Sequence, residues 1–305
     1  MRTVDIRLPA TSANLGPGFD ALGLALSLYD EVEASLTGDG VEVVVRGEGE
    51  GELDTGEGHL VVKAMRRAFD RMDVPQPGGI RLRCHNRIPH ARGLGSSSAA
   101  ICAGILAARA LADGGALADE EVFALATEME GHPDNVAPCL AGGLTIAWTE
   151  QDGTPRMVKL LPDASIRPVA IVPATRLATE TARGLLPKDV PHRDASFNAG
   201  RAALLIAALT QRPTRALLLA ATEDRLHQDY RAPAMRKSAD LVERLRAVGV
   251  PAVVSGAGPT ILAFSTSDSQ DLIAPEVGSD WHIQLMDVDP VGADVQFPRD
   301  TLMPL

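Results

Sequence analysis

Residues 89–100 (PHARGLGSSSAA) form a glycine- and serine-rich segment whose residue types suit phosphate binding. Gly93 and Gly95 lack a Cβ atom, so the backbone can turn sharply there and approach a ligand closely. Serines follow at positions 96–98, where a helix is predicted to begin, and the N-terminus of a helix offers unpaired N–H groups and partial positive charge. The segment is therefore predicted to form an anion cradle, with serine hydroxyls available to phosphate oxygens or Mg²⁺.

The same segment also has an ordinary explanation, which is a loop followed by serine N-caps. An isolated segment of this composition favours that explanation. Here the flanking Pro89 and the predicted change from strand to helix shift the balance toward phosphate binding. Residues 89–100 contain no lysine, so the segment is not a Walker A loop.

The elements predicted around this segment place it between a strand and a helix. Alternating apolar residues predict one strand at residues 4–8 that ends at Pro9, and another at residues 80–84 that leads into the segment. A polar stretch at residues 150–163 predicts a domain boundary. The other predicted elements are strands at 41–45, 142–148, 169–172, 252–255 and 260–264, and helices at 60–72, 99–112, 120–130, 196–209, 213–221 and 235–248.

The composition limits the classes of partner. The chain has 305 residues, of which 45% are hydrophobic, so it can bury a sizeable core in one large domain or two. A net charge of −11 with scattered arginines disfavours nucleic acid and anionic membranes. Cys84, Cys102 and Cys139 form no CxxC pair, which disfavours disulfide and zinc frameworks. No apolar segment approaches the roughly 18 residues of a membrane span, so we expect a cytoplasmic protein.

Two further segments complete a recognisable set of motifs. Residues 9–20 read PATSANLGPGFD and residues 255–260 read SGAGPT. With residues 89–100 between them, their order and spacing resemble the galactokinase, homoserine, mevalonate and phosphomevalonate (GHMP) kinase superfamily. Within it, residues 9–20 and residues 131–138 (GHPDNVAP) resemble the homoserine kinase family. The resemblance runs from the first strand to about Phe264, which is nearly the whole chain.

The resemblance implies a two-domain α/β (α+β) fold and a small-molecule kinase activity. Residues 1–155 would form an ATP-binding domain similar to the second domain of ribosomal protein S5, and residues 156–305 a ferredoxin-like domain. ATP and Mg²⁺ would lie in the cleft, with the adenine near residues 59–62. The implied reaction is phosphorylation of L-homoserine to O-phospho-L-homoserine, a step in threonine biosynthesis. Whether the chain forms a homodimer is left open.

The resemblance also assigns roles to individual residues. Those matched to substrate contacts are Asn14, Asp20, Arg183, Arg231 and Gly258. Those matched to the surroundings of the reacting hydroxyl are His132, Asn135 and Thr179. The predicted nucleotide contacts are Pro89, His90, Ala91, Arg92, Gly93, Leu94, Gly95, Ser96, Ser97, Ser98 and Ala99. The predicted metal ligands are Ser97 or Ser98 together with Glu128 or Glu130; the two glutamates lie two residues apart on a helix, so only one should face the metal.

Each substrate residue also has a purely structural explanation. Asn14 could occupy a left-handed turn, Asp20 could cap a helix, and His132 could form a hydrogen bond at a helix C-terminus. Arg183 and Arg231 could be surface charges, which is the usual position of arginine. Only their joint match to one family pattern favours a functional role.

The identity of the proton acceptor follows from a departure from the family pattern. Mevalonate-type relatives use a lysine in the first motif and an aspartate after the second helix, where this chain has Ser12 and Asn135. Neither can act as a base near neutral pH. The hypothesis is that Asn135 orients the hydroxyl and that its proton passes late to phosphate, with Asp20 and Asp134 as the remaining candidate bases.

Two other functions fit part of the pattern. One is a related kinase acting on a different alcohol, such as mevalonate or shikimate, although the paired acidic and arginine residues suit a zwitterion better. The other is a catalytically silent member that binds a nucleotide or a partner, although the complete glycine-rich motifs argue against it.

Overall fold

The computed structural model describes residues 2–113, 116–265 and 270–297. Numbered in chain order, the strands are β1 (Thr3–Ala13), β2 (Leu22–Thr37), β3 (Gly40–Gly47), β4 (Gly79–Asn86), β5 (Leu144–Thr149), β6 (Pro155–Leu160), β7 (Arg167–Pro173), β8 (Ala252–Val254), β9 (Ile261–Ser265), β10 (Trp281–Leu285) and β11 (Asp294–Gln296). The α-helices are α1 (Leu60–Arg71), α2 (Ser96–Leu111), α3 (Asp119–Glu130), α4 (Pro133–Ala141), α5 (Thr179–Arg183), α6 (His192–Thr210), α7 (Arg215–Ala221), α8 (Gln228–Arg231) and α9 (Arg236–Ala247).

The larger sheet carries the helices that position the glycine-rich segments. Its strands run in the order β11-β1-β2-β4-β3, and β5 pairs with β2 and with β6. Helix α2 packs on β1 and β2 and lies beside α1 and α3, while α4 packs on β1, β2 and β5. Val4, Ile6 and Leu8 are buried on the helix side of β1, and Asp5 and Arg7 between them are exposed. The alternation predicted for this strand therefore matches a sheet with one covered face.

Strand β1 continues beyond the end predicted for it. The prediction ended the strand at Pro9, because proline cannot donate to a ladder. In the structure the register with β2 shifts between Pro9 and Ala10, and pairing resumes from Ala10 to Ala13. The irregularity accommodates the proline, as bulges commonly do. The first motif therefore starts on a strand, and only its later part, from Asn14, is a loop.

The second sheet, in the order β10-β7-β9-β8, packs with α9 in the C-terminal half of the chain. The first sheet extends beyond the predicted boundary at residue 155, because β6 pairs with β5 as far as Leu160, and β11 returns to pair with β1. The end of the predicted second domain, residues 298–305, lies outside the described residues. Among the helices described, none is long and apolar enough to cross a membrane.

Two helix N-termini point at the motif region. Gly95 precedes α2 with a φ of +74°, a conformation that favours glycine, and the helix begins at Ser96. Helix α4 begins at Pro133, directly after His132, so most of the motif at residues 131–138 is helical. Proline is well tolerated at the first helical position, where its missing N–H would have no partner in the helix.

Candidate active site

A small cleft of about 90 Å³ brings together the motifs that the sequence singled out. Its walls come from the first motif, the phosphate-binding segment, the start of α4, helix α5 and residues 256–257. The residues that line it are Ala13, Asn14, Ala91, Gly93, Gly95, Ser96, Ser97, Glu130, His132, Asp134, Asn135, Thr179, Arg183, Arg231, Gly256 and Ala257.

Backbone and hydroxyl hydrogen bonds tie the three glycine-rich motifs to one another. The Thr11 N–H donates to the Leu94 carbonyl at 3.0 Å, and the Ser255 hydroxyl donates to the Gly93 carbonyl at 2.6 Å. The Asn14 side-chain amide donates to the Gly256 carbonyl at 2.9 Å. The motifs are therefore parts of one hydrogen-bonded unit, although up to 243 positions separate residues that touch.

The glycines of the phosphate-binding segment are required by this packing as well as by any ligand. A Cβ atom on Gly93 would collide with the Ser255 carbonyl oxygen, and one on Gly95 would collide with the Thr11 hydroxyl. Both glycines also have a positive φ, +78° and +74°. The sequence interpretation attributed them to a sharp turn and to the ligand, and did not predict the packing because the neighbouring motifs are far away in the chain.

The predicted nucleotide contacts divide into residues that face a cavity and residues that do not. Ala91, Gly93, Gly95, Ser96 and Ser97 line the small cleft, and His90, Ser96, Ser97 and Ala99 line a second cavity beside it. Pro89 lines neither of these cavities.

Three other predicted contacts are turned away from both cavities. The Arg92 guanidinium donates to the carbonyls of Pro173 and Ala174, both at 3.0 Å, so it joins the two halves of the chain. Leu94 is buried in the core. The Ser98 hydroxyl is also buried and has no hydrogen-bond partner among the described residues. The structure therefore gives no support to phosphate contacts from the side chains of Arg92, Leu94 and Ser98.

The second cavity, of about 290 Å³, lies between the start of α1, the start of α2 and the first sheet. His59, Leu60 and Val61 line it, which is the segment predicted to lie near adenine. His59 is buried, its Nδ1 has no partner among the described residues, and burial lowers its pKa. The apolar part of the wall comes from Leu8, Val32, Leu53, Ala99 and Ala100.

Asp20 and Arg183 form an ion pair across the cleft. The Arg183 guanidinium donates from Nη2 to Asp20 Oδ1 at 2.7 Å and from Nη1 to Oδ2 at 3.0 Å. The hydrogen bond to Asp20 raises the pKa of Arg183. The sequence interpretation matched both residues to substrate contacts, but in the structure they bind each other. Asn14, at a φ of +66°, accepts the Asp20 N–H, so it shapes the turn as well as lining the cleft.

Arg231 is a buried cation with only neutral partners. Arg231 is 1% exposed. Its Nη1 donates to His227 Nδ1 at 3.1 Å and to the Gly256 carbonyl at 3.2 Å. Its Nε has no hydrogen-bond partner, and no carboxylate of the described residues forms an ion pair with it. Burial, followed by the nearby charge of Arg183, lowers the pKa of Arg231.

His227 and Phe19 position this arginine, and the sequence reasoning missed both. Because the arginine can only donate, His227 Nδ1 accepts, and its Nε2–H donates to the Gly16 carbonyl at 2.8 Å. The Phe19 ring stacks on the His227 ring with centroids 5.3 Å apart, and the Arg231 guanidinium lies 5.4 Å from the Phe19 centroid. The only sequence signals were that Phe19 stands in the first motif and that His227 stands four residues before Arg231.

The start of α4 supplies polar groups to the other wall. His132 Nδ1 and Asp134 Oδ1 are 2.7 Å apart, which leaves Nε2 as the free ring nitrogen. Burial alone would lower the pKa of His132, but the hydrogen bond and charge of Asp134 raise it above its ordinary value. The Asn135 Oδ1 accepts from the Thr11 hydroxyl at 2.8 Å, so its NH₂ group is the part left for a ligand. Thr179, at the start of α5, faces them across the cleft.

The two candidate metal-binding glutamates have different surroundings. Glu130 accepts a hydrogen bond from the Ser97 hydroxyl, and both residues line the cleft. Glu128 instead pairs with Arg67 and Arg71, at 2.5 and 2.6 Å. An adjacent hydroxyl and carboxylate are hard oxygen donors of the kind that suits Mg²⁺. Of the described residues, no three His, Cys, Asp or Glu side chains cluster as a metal site, so further ligands would come from phosphate and water.

Gly258 lies behind the cleft and does not line it. A Cβ atom there would meet the Met235 side chain at 2.6 Å, and the Gly258 N–H donates to the Ser255 carbonyl at 2.8 Å. The structure therefore shows a packing role for Gly258 within residues 255–260, and the substrate contact expected for it stays a prediction.

Comparisons with known proteins agree with this arrangement. The family description "GHMP kinases N terminal domain" matches residues 59–143, and "GHMP kinases C terminal" matches residues 205–283. The homoserine kinase of Streptomyces coelicolor is 56% identical over 294 residues, which cover 96% of this chain and 94% of that protein. The chain belongs to the GHMP kinase family. The family and fold class predicted from the motifs are thereby confirmed.

Other relatives of this GHMP kinase extend the comparison. The homoserine kinase of Streptomyces avermitilis is 57% identical, over 96% of this chain and 95% of that protein. The crystal structure of homoserine kinase from Cytophaga hutchinsonii aligns with a TM-score of 0.82 at 26% identity, covering 97% of this chain and 98% of that one. L. major mevalonate kinase, at 17% identity and a TM-score of 0.67, shares the fold. The roles of individual residues remain predictions.

Proposed function

We propose that this GHMP kinase transfers the γ-phosphoryl group of ATP to the side-chain hydroxyl of L-homoserine, forming O-phospho-L-homoserine in threonine biosynthesis. Two homoserine kinases, from Streptomyces coelicolor and Streptomyces avermitilis, match 96% of its length at 56% and 57% identity. The proposal depends most on one structural observation, the buried guanidinium of Arg231.

A buried guanidinium with only neutral partners is costly, because removing a charge from water needs compensation. Arg231 lines the cleft, and its Nε has no protein partner. A substrate carboxylate would supply both the missing charge and a planar acceptor that suits the arginine fork. This favours an amino acid over an alcohol without a carboxylate, such as a sugar.

The ion pair between Asp20 and Arg183 is the proposed site for the substrate ammonium. Each carboxylate oxygen has two lone pairs, so Asp20 can accept from an ammonium while it still holds Arg183. Arg183 lies in the C-terminal half and Asp20 in the first motif, so the pair also holds the two walls of the cleft together. We therefore assign Arg183 to positioning Asp20, with Arg231 as the carboxylate-binding arginine.

The reacting hydroxyl is proposed to lie between the start of α4 and the phosphate-binding segment. The free NH₂ of Asn135 and the Nε2 of His132 would orient it, and Thr179 would close the opposite side. Phosphoryl transfer depends mainly on positioning and charge neutralisation. The hypothesis that no side chain acts as a strong base is retained, with proton transfer late to phosphate. A pH–rate limb near neutrality that Asp134→Asn abolishes would contradict it.

The nucleotide is proposed to lie with its base in the 290 Å³ cavity and its phosphates along the start of α2, since Ser96 and Ser97 line both cavities. The N–H groups of the first turn of α2 would bind phosphate oxygens. Ser97 and Glu130 would hold Mg²⁺, which when bound neutralises charge on the phosphates.

The test is ATP consumption with matched alcohols. L-homoserine should be phosphorylated, whereas 4-hydroxybutyrate, which lacks the ammonium, and 3-aminopropanol, which lacks the carboxylate, should lose about 10-fold or more in kcat/KM. Mevalonate and shikimate test the related kinases. A preference for an alcohol without an amino group would refute the homoserine assignment and leave only a kinase of this family. No ATP consumption with any alcohol, in folded protein, would favour a silent member.

A further inference from the structure

Asp30 is a buried carboxylate in the 290 Å³ cavity that the proposed reaction does not use. It lies on β2 opposite Leu8 of β1 and is 6% exposed. Its Oδ1 accepts two backbone hydrogen bonds, from the N–H of Arg87 at 2.6 Å and from the N–H of Ile88 at 2.9 Å. These two residues lead directly into the phosphate-binding segment, so one oxygen of Asp30 fixes the approach to it.

The second oxygen of Asp30 has no comparable role in the fold. Among the described residues, none donates a hydrogen bond to Oδ2, and no arginine or lysine forms an ion pair with Asp30. Burial raises the pKa of Asp30 to about 6, only partly offset by the two backbone hydrogen bonds. Oδ2 is not among the fully buried atoms that lack a partner, so it is accessible from the cavity that Asp30 lines and can accept a hydrogen bond from a ligand there. An asparagine could accept the same two N–H groups, so they do not require a carboxylate at this position.

The surroundings of Asp30 indicate what would donate to it. Leu8, Val32, Ala99 and Ala100 line the same cavity with small, apolar surfaces, which suit a flat aromatic ring better than a sugar. A carboxylate at the edge of such a ring accepts from an N–H and repels a carbonyl oxygen. Adenine carries an exocyclic 6-amino group, whereas 6-oxopurines carry an acceptor at that position.

We propose that Asp30 selects the base of the nucleotide by accepting a hydrogen bond from the 6-amino group of adenine. The inference rests on the proposed function, which places the base in this cavity. It adds a residue that distinguishes ATP from 6-oxopurine nucleotides.

Asp30→Asn is the informative variant because its geometry is fixed. The two N–H groups of Arg87 and Ile88 require the amide oxygen on their side, so the NH₂ group faces the cavity. The variant therefore replaces an acceptor with a donor. Asp289→Asn is the matched control, since Asp289 is 2% exposed, also accepts from two backbone N–H groups, those of Val291 and Gly292, and lines neither cavity.

Dissociation constants for ATP, ITP and purine riboside triphosphate, which has no 6-substituent, are measured by calorimetry. The wild type should bind ATP about 10-fold or more tightly than either analogue, and Asp30→Asn should lose that preference and gain affinity for ITP. Asp289→Asn should keep the wild-type ratios. If the wild type and Asp30→Asn prefer ATP over the two analogues by the same factor, the proposal is overturned. Should Asp30→Asn not fold, equal wild-type affinity for ATP and purine riboside triphosphate would overturn it alone.

Measurements with further nucleotides show whether the hydrogen-bond donor to Asp30 belongs to the base or to the ribose. They also distinguish failure of this inference from failure of the proposed function. The wild type is compared with Asp30→Asn for 2′-deoxy-ATP and 3′-deoxy-ATP. If the wild type binds either one more weakly than ATP and Asp30→Asn does not, Asp30 accepts from a ribose hydroxyl, and its role at the base is refuted. GTP bound as tightly as ATP, and weakened by Asp30→Asn, would mean that guanine N–H groups donate instead. Wild-type protein that phosphorylates homoserine without base preference contradicts only this inference, whereas protein that binds no nucleotide contradicts the proposed function.

Discussion

Replacing Arg231 by methionine should separate substrate binding from folding stability. Methionine has a similar length and no charge, so it can fill the buried space left by the arginine. The change removes the guanidinium proposed to bind the substrate carboxylate. Hydrogen bonds to charged groups contribute about 1.5–3 kcal/mol each, so the KM for homoserine should rise about 10- to 150-fold. The dissociation constant for ATP should change little, because Arg231 does not line the larger cavity.

The stability of Arg231→Met follows from two opposing effects. His227 Nδ1 loses its donor, at a cost of about 1–3 kcal/mol, whereas the Gly256 carbonyl keeps its hydrogen bond from the Asn14 amide. The buried charge disappears as well, and its desolvation costs several kcal/mol in the wild type. These effects nearly cancel, so the free energy of unfolding should change by less than about 2 kcal/mol. Removing one member of a buried ion pair would cost about 3–5 kcal/mol.

Steady-state kinetics and urea denaturation test both parts of this prediction. Arg246→Met is the control, because Arg246 is partly buried and also has neutral partners, the Thr222 hydroxyl at 2.8 Å and the Leu219 carbonyl at 2.7 Å, but lies outside both cavities. It should keep the wild-type KM for homoserine. An Arg231→Met protein with wild-type KM, or one destabilised by more than about 4 kcal/mol, would refute the reasoning.

Three further predictions concern the metal, the ion pair and pH. Glu130→Gln should raise the Mg²⁺ concentration needed for half-maximal activity, whereas Glu128→Gln should leave it unchanged and cost at most about 1 kcal/mol of stability; equal effects on Mg²⁺ dependence would contradict the assignment. Arg183→Lys cannot bind both oxygens of Asp20, so the KM for homoserine should rise about 10-fold or more while ATP affinity is kept; an unchanged KM would remove the ion pair from the substrate site. The folded-state pKa of Asp30, about 6, lies above its ordinary value of 3.8, so its stabilising effect is fully present below pH 3.8 and is lost as pH rises through 6. Relative to Asp30→Asn, the wild type should lose about 2.4 kcal/mol of unfolding free energy between pH 4 and pH 7, and parallel pH curves in urea denaturation would contradict this.

The sequence predicted the features that depend on a few adjacent residues. Glycines before a run of serines indicate a tight turn and a helix start, and the structure has Gly95 followed by α2. The strands around residues 4–8 and 80–84 followed from alternation, and both are present. Such signals come from neighbouring residues, so they can be recognised in the sequence before the fold is known.

Other features could not be predicted because they depend on residues far apart in the chain. Arg92 stands in the phosphate-binding segment, yet it donates to carbonyls 81 and 82 positions away. Arg183 and Asp20 were each assigned to the substrate, and only the fold shows that they reach each other across 163 positions. Their charges suit a partner, but sequence patterns do not say whether that partner is a ligand or another side chain.

The charge of the cleft explains how an acidic protein can bind a polyanion. Arg183 and Arg231 line the cleft, but so do Glu130 and Asp134, and Asp20 takes up the charge of Arg183. The cleft therefore has little net positive charge with which to attract triphosphate. Its favourable groups are the backbone N–H groups at the start of α2, and beside them the hydroxyl of Ser97 next to the Glu130 carboxylate. Glu130 would repel a bare phosphate and attract a cation, so phosphate affinity in this cleft should depend on a divalent metal more than on basic side chains.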